Sequence, residues 1–405
     1  MKRKVAVNEL QFGMYVYELD RPWTETPFMF QGFVLKTQQQ LEVLAKFCKH
    51  VFVDTERTDE PKERPKLQPG RGPLAPDLQG TGKVIHVERV SVETEFARAS
   101  EVRGVAQEAV QSAFEAIRAN QALDSGELKI AASNMTGSML RNPDAMVLFS
   151  ALQERGGYQL SRAMNVSIYM VAFARYLGIE EEAIERAALV GLLQDVGMLK
   201  IPAALLEKKD RLTPAEFETV KAHVSHTTEH LRNTPGLSPE IANVAALHHE
   251  RQDGTGYPGG LKGDRLGLLG AMAGIVDTFD ALTTKRPYAE AMSPSNALNL
   301  LHKLRHKAFH PTLVEQFVRC IGFFPVGSVV ELNSDEIGIV ISQNPVNRLQ
   351  PRIMVVRDAT GQPLRPQKLL DLARLPKTGA GEPYRIRRTL EFGRAGVTAK
   401  DIMMT

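Results

Sequence analysis

Two adjacent imidazoles, His248 and His249, are followed by Glu250, Asp253 and the turn Gly254-Thr255-Gly256-Tyr257-Pro258. Paired histidines with a carboxylate elsewhere in the fold make a ligand set for a borderline divalent cation. Asp195 offers such a carboxylate. Ile184, Ala188 and Gly191 recur at helical spacing on a helix expected over 181–196, and Asp195 continues the same face. A carboxylate on a buried face costs several kcal/mol unless a cation or hydrogen bonds compensate it. Taken alone, His248 beneath Ile241, Val244 and Ala245 also reads as a core histidine with its hydrogen bonds met.

These groups sit in the most clearly punctuated part of the chain. Thr213-Pro214-Ala215-Glu216, Ser238-Pro239 and Ser293-Pro294 each pair a capping hydroxyl with proline at the first helical position, and Gly178 closes a helix begun near Leu160. Residues 1–58 mix β-type runs, at Met14 to Tyr17 and Val51 to Val53, with a helical stretch at Gln38 to Lys46. From Asp59 to Lys83 there are nine Pro or Gly residues and few large apolar ones. Val102, Val105, Ala109, Ala113 and Ile117 form a helical stripe that suits either core packing or a homodimer seam. Past Pro325 the β-branched runs at 328–332, 337–341 and 353–356 predict strands. The expected organisation is mainly α: an α+β module over 1–58, a linker over 59–83, connecting helices over 84–154, a helical domain over 155–325, a β-rich appendage over 326–375 and a tail over 376–405.

Composition narrows the function classes. Fifty basic and 47 acidic residues are well mixed, so no basic field marks a DNA or RNA partner. Cys48 and Cys320 are too few and too far apart for a disulfide framework, which suits a reducing, cytoplasmic setting. No signal-peptide core opens the chain and no stretch reads as about 20 apolar residues, so no membrane partner is expected.

The run from His248 through Gly256-Tyr257-Pro258-Gly-Gly-Leu-Lys-Gly, followed by Gly274-Ile-Val-Asp-Thr-Phe-Asp-Ala-Leu-Thr-Thr-Lys-Arg-Pro-Tyr, resembles the HD-GYP family over about 155–325. The opening module, with Gly13-Met14 and Pro22-Trp23, resembles a domain of unknown function that often precedes it. The resemblance implies an HD-superfamily helical fold and a bacterial signalling hydrolase that cleaves cyclic di-GMP at two or three clustered iron or manganese ions. It makes Asp195 the catalytic, metal-bridging carboxylate, with His223, His248 and His249 as ligands of one metal and Asp277 as a ligand of another. It also makes Gly256, Tyr257, Pro258 and Arg286 substrate-binding positions, a neighbouring basic position being Ala289. Three family positions are substituted: Arg162 and Gln194 stand where imidazoles ligate the other metal, and Met198 where a lysine contacts phosphate. Neither a guanidinium nor a neutral amide replaces an imidazole. One divalent metal, iron, manganese or similar, is therefore expected and a second is not, with Arg162 filling the vacated space beside Asp277 or Asp195. Whether the chain still works as an enzyme is left open, the alternative being a non-catalytic module that binds cyclic di-GMP or diguanylate cyclases of the GGDEF type. His226 and His230, three and seven residues beyond His223 on the helix begun at Pro214, are expected to be partly solvated. Lys200 is a weak substitute for the missing lysine, and Asp280, Asp253 and Glu250 are expected either to orient ligands or to make structural hydrogen bonds.

Overall fold

The computed structural model describes residues 2–21, 33–35, 38–55, 81–152, 157–286, 289–344 and 347–390. Most of the expected linker, Pro22, Trp23 and the tail from 391 lie outside them. The chain divides into two compact units, 1–73 with 345–349 and 74–344 with 350–405.

In the first unit, β1 (Lys2–Ala6), β2 (Tyr15–Leu19), β3 (Phe33–Val34) and β4 (His50–Asp54) form an antiparallel sheet in the order β1-β4-β2-β3. Helix α1 (Gln38–Phe47) precedes β4. Val51 and Val53 alternate inward along β4 and join Val5, Val16, Leu35 and Leu44 in a small core, as a period of two requires.

The second unit is mainly helical. Its helices are α2 (Val92–Arg118), α3 (Ser125–Arg141), α4 (Pro143–Leu152), α5 (Tyr158–Tyr176), α6 (Glu181–Leu193), α7 (Ala203–Leu206), α8 (Pro214–Lys221), α9 (His223–Arg232), α10 (Pro239–Ala245), α11 (Gly267–Thr283), α12 (Pro294–Leu304) and α13 (Pro311–Ile321). The capping residues start the helices where the sequence places them. Thr213 and Glu216 complete a reciprocal capping box, and Ser238 and Ser293 accept from Glu240 N and Asn296 N. A second sheet, in the order β8-β7-β6-β5-β9, is built from β5 (Val329–Leu332), β6 (Ile337–Ser342), β7 (Arg352–Arg357), β8 (Pro363–Asp371) and β9 (Ile386–Leu390).

Several expectations are corrected. The α6 helix stops at Leu193, and Asp195 opens a separate 3-10 turn, Val196–Lys200. The helix begun at Pro214 ends at Lys221, and α9 starts anew at His223. On α2 the buried stripe is Ala99, Arg103, Ala106, Val110, Ala113 and Ile117, packed on α3 and α4, while Val105 is 47% exposed. The appendage does not end at 375, because β9 pairs antiparallel with β5. One stretch, Gly263–Thr283, is long and apolar enough to cross a membrane by length and composition. It carries buried Asp277 and Asp280 and packs against α5 and α12, as a core helix does.

Asp144 on α4 ties the helices to the second sheet. Its Oδ2 accepts from Gln343 N at 2.8 Å, just past the end of β6. Burial pushes its carboxyl up to about 7 despite that bond, with Glu88 adding to the rise and Arg175 opposing it. The folded chain therefore keeps a proton that the unfolded chain gives up near 3.8, so this group costs stability as pH rises between those values. Asp144→Asn keeps an acceptor for Gln343. Urea unfolding should show the variant gaining on wild type as pH rises from 4 to 7, and a constant difference would contradict the assignment.

Candidate metal centre

Helix ends, not helix faces, aim the imidazoles. His223 is the first residue of α9, and its Nδ1 bonds the carbonyl of Val220 at 2.7 Å, in the last turn of α8. His248 lies just past α10, and its Nδ1 bonds the carbonyl of Ala245 at 2.6 Å. Both carbonyls belong to the last turn of a helix, where carbonyls lack the intrahelical i+4 partner and stay open to a side-chain donor. Each fixes its ring with Nδ1 protonated, which leaves Nε2 as a bare ligand atom.

The two Nε2 atoms face one another at 3.3 Å, and Asp195 Oδ1 lies 3.5 Å from that of His223 and 3.4 Å from that of His248. His249 completes a group whose ligand atoms all lie within 4.8 Å of one another. Metal bonds of about 2.05 Å in a tetrahedral site put ligand atoms about 3.3 Å apart, so three edges already have the needed length. Asp195 Oδ1 is buried with no hydrogen-bond donor. The donor set fits a divalent cation. Burial and the neighbouring His248 push the His249 ring well below its usual range, which keeps it neutral and able to ligate.

Close approach makes this possible at Gly197. A Cβ there would stand 2.1 Å from the carbonyl oxygen of His223 and 2.6 Å from Thr227 N, so any side chain would push α9 off the turn that follows Asp195. Thr227 Oγ1 closes that contact, accepting from Gly197 N at 2.9 Å and donating to the Gln194 carbonyl at 3.1 Å.

The other half of the site holds a protein cation. Arg162 on α5 is 7% exposed. Its Nε donates to Asp195 Oδ2 at 2.8 Å, its Nη1 to Asp280 Oδ2 at 3.3 Å, and its Nη2 to Asp277 Oδ1. Gln194 Nε2 donates to the same Asp277 oxygen at 3.2 Å. Arg162 thus meets both aspartates that the sequence offered it and a third, Asp280. Asp277 stands outside the ligand group and serves the guanidinium. Asp195 divides its oxygens between the two sides: Oδ2 is bonded to Arg162 and Oδ1 faces the imidazoles. Burial alone would raise the Asp195 carboxyl, but the Arg162 charge and the His248 contact hold it well below the usual carboxylate range. One guanidinium among three carboxylates leaves two formal negative charges, the complement of a dication beside Oδ1.

The remaining candidates fall around this centre. Tyr257 stacks on His249 with centroids 4.6 Å apart. Glu250 accepts from Gly259 N at 2.6 Å and Leu261 N at 2.9 Å, anchoring the loop that carries Gly256, Tyr257 and Pro258. Asp253 holds Thr255 N at 2.9 Å, a structural role. Arg286 pairs its backbone with Ala289; burial raises the Asp280 carboxyl against the charges of Arg162 and, more weakly, Arg286. Met198 is part of the 3-10 turn, and Lys200 bonds Asn120 beyond α2. His226 and His230 are partly exposed and line a separate open cavity with Lys200 and Glu229. The sequence reading missed Asn165, which donates to Asp280 Oδ1 at 3.2 Å. Its position three residues beyond Arg162, facing an Asp277/Asp280 pair also three apart, was the available signal.

Arg162→Met should cost about 3–5 kcal/mol, because it strands buried carboxylates. The Asp195 contribution is present above the ordinary carboxylate range and lost as pH falls, so the deficit should shrink in acid. Urea unfolding at pH 7 gives the loss and a series carried below pH 3.8 gives its decline, and a loss under 1 kcal/mol at pH 7 would refute the clamp.

Comparison with known proteins places the chain among relatives. Residues 146–313 match the family described as HD domain, and residues 329–378 match a KOW domain associated with HD domain. Residues 2–128 match a domain of unknown function (DUF3391), which reaches past the expected boundary at 58 into α3. The chain is 31% identical over 385 residues to cyclic di-GMP phosphodiesterase PA4108 of Pseudomonas aeruginosa, covering 93% of this chain and 91% of that protein. It is 35% identical over 173 residues to 3'3'-cGAMP-specific phosphodiesterase 3 of Vibrio cholerae, covering 42% of this chain and 36% of that one. Over 173 residues it is 33% identical to the cyclic di-GMP phosphodiesterase response regulator RpfG of Xanthomonas campestris, covering 42% and 46%.

Proposed function

The chain belongs to the HD-GYP family, and from that premise we propose that it is a cyclic di-GMP signalling protein whose centre takes one divalent cation and hydrolyses the dinucleotide weakly or not at all. One observation carries the reading: the Arg162 guanidinium is bonded at once to Asp195, Asp277 and Asp280, where a second cation would need those oxygens. Asp195, His223, His248 and His249 would hold the cation that remains, whose chemistry is Lewis acidity toward phosphoryl oxygens and water. With Asp195 Oδ2 committed to Arg162, the centre lacks the second positive point that clamps attacking and leaving oxygens together in two-metal hydrolysis. Tyr257, beside His249, keeps its phenol protonated through burial and so offers a hydroxyl donor to a phosphate at the mouth. Arg286 offers a permanent cation on the Asp280 side.

Metal analysis of the purified chain, paired with cyclic di-GMP turnover, tests this. Wild type should carry about one equivalent of metal. The double variant Arg162→His with Gln194→His should carry two and turn over at least about a hundredfold faster, as a second electrostatic contact to the developing charge implies. Two equivalents and brisk turnover in wild type would overturn the proposal. Cyclic di-GMP binding without turnover in wild type would favour a signalling module that acts through partners such as GGDEF-type cyclases.

A further inference from the structure

Beside the metal centre, α8 turns an apolar ring outward. None of its eight residues is buried, and Phe217 is 43% exposed. From His249 the rings lead out in two steps: Tyr257 stacks on His249 at 4.6 Å and 29°, and Phe217 meets Tyr257 edge-on at 6.1 Å and 84°. Lys221 Nζ lies 4.9 Å from the Phe217 centroid and 5.2 Å from that of Tyr257, and it pairs with Glu218 at 2.7 Å. The exposed end of this path thus holds a π-face, an ammonium and a carboxylate side by side.

We propose that Phe217, Glu218 and Lys221 form a guanine-binding platform at the mouth of the centre. The proposal rests on the cyclic di-GMP reading and names the part of the site that reads the base. An exposed aromatic face stacks any nucleobase, a contact worth roughly a tenfold or greater change in affinity. The edge supplies the choice. Guanine offers O6 as an acceptor, for the Lys221 ammonium, and N1–H with N2–H as adjacent donors, for the Glu218 carboxylate. Adenine carries an amino group in place of O6 and gives a carboxylate a single donor. Hydrogen bonds to ionised groups are the stronger kind. Glu218 is exposed and Lys221 partly so, and an ion pair open to water on one side costs little to part for a base. A phosphate on the same nucleotide would then lie toward Tyr257 and His249.

Saturation-transfer NMR and calorimetry on the full chain test this with GMP, AMP and cyclic di-GMP as probes. Guanine H8 should take saturation more strongly than the ribose protons, and GMP should bind more tightly than AMP. Phe217→Ala should weaken GMP and cyclic di-GMP roughly tenfold and remove the H8 effect, with Phe217→Trp restoring both. Lys221→Met and Glu218→Gln should each reduce the preference for GMP over AMP while metal content stays at the wild-type level. An unchanged GMP affinity in Phe217→Ala, or equal binding of GMP and AMP by wild type, would overturn the platform. GMP bound at Phe217 with no binding of cyclic di-GMP would uphold the platform and overturn the cyclic di-GMP reading alone.

Discussion

A guanidinium sealed among three carboxylates is the interaction on which the rest of the helical unit's interior depends. Arg162 comes from α5, Asp195 from the turn after α6, and Asp277 and Asp280 from α11, so a single side chain joins three elements. Each charge would be costly to bury by itself. Together they offset one another, with Gln194 and Asn165 bonding Asp277 and Asp280 from the sides and Asp195 Oδ1 left without a donor. The arrangement also decides which Asp195 oxygen is free, and through that oxygen where a cation can sit. Packing and metal chemistry are therefore set by the same few bonds.

The imidazoles depend on something more local. His223 and His248 both answer to the carbonyl three residues earlier, at the finish of a short helix. Ending α8 at Lys221 and restarting at α9 places His223 at a boundary, where a continuous helix would have used the Val220 carbonyl for its own ladder. Gly197 then lets α9 approach the turn after Asp195 closely enough for the ligand atoms to converge.

Much of this was legible in the sequence because the signals were local. Hydroxyl–proline pairs marked three helix starts, and a carboxylate on an apolar stripe announced a buried charge at Asp195. The family resemblance, with Arg162 and Gln194 standing where it implies imidazoles, pointed to a cation made of protein. The misread features depend on contacts between elements. The period of 3.6 continues smoothly through Asp195 and through His223, yet tertiary packing ends one helix and divides the other there. On α2 the apolar residues mark two adjacent stripes, and only packing on α3 and α4 selects the one that is buried. The strand at 386–390 is short and rich in arginine, so nothing in its own composition shows that β5 recruits it.

The divided Asp195 carboxylate also couples positions 162 and 194. Histidine at 162 alone would withdraw the guanidinium from buried Asp277 and Asp280 and from Asp195. Histidine at 194 alone would set a new imidazole against a cation already in place and remove the amide that bonds Asp277. Neither position can take an imidazole by itself without leaving a bond to Asp277 unmade, so Arg162 and Gln194 act as a pair.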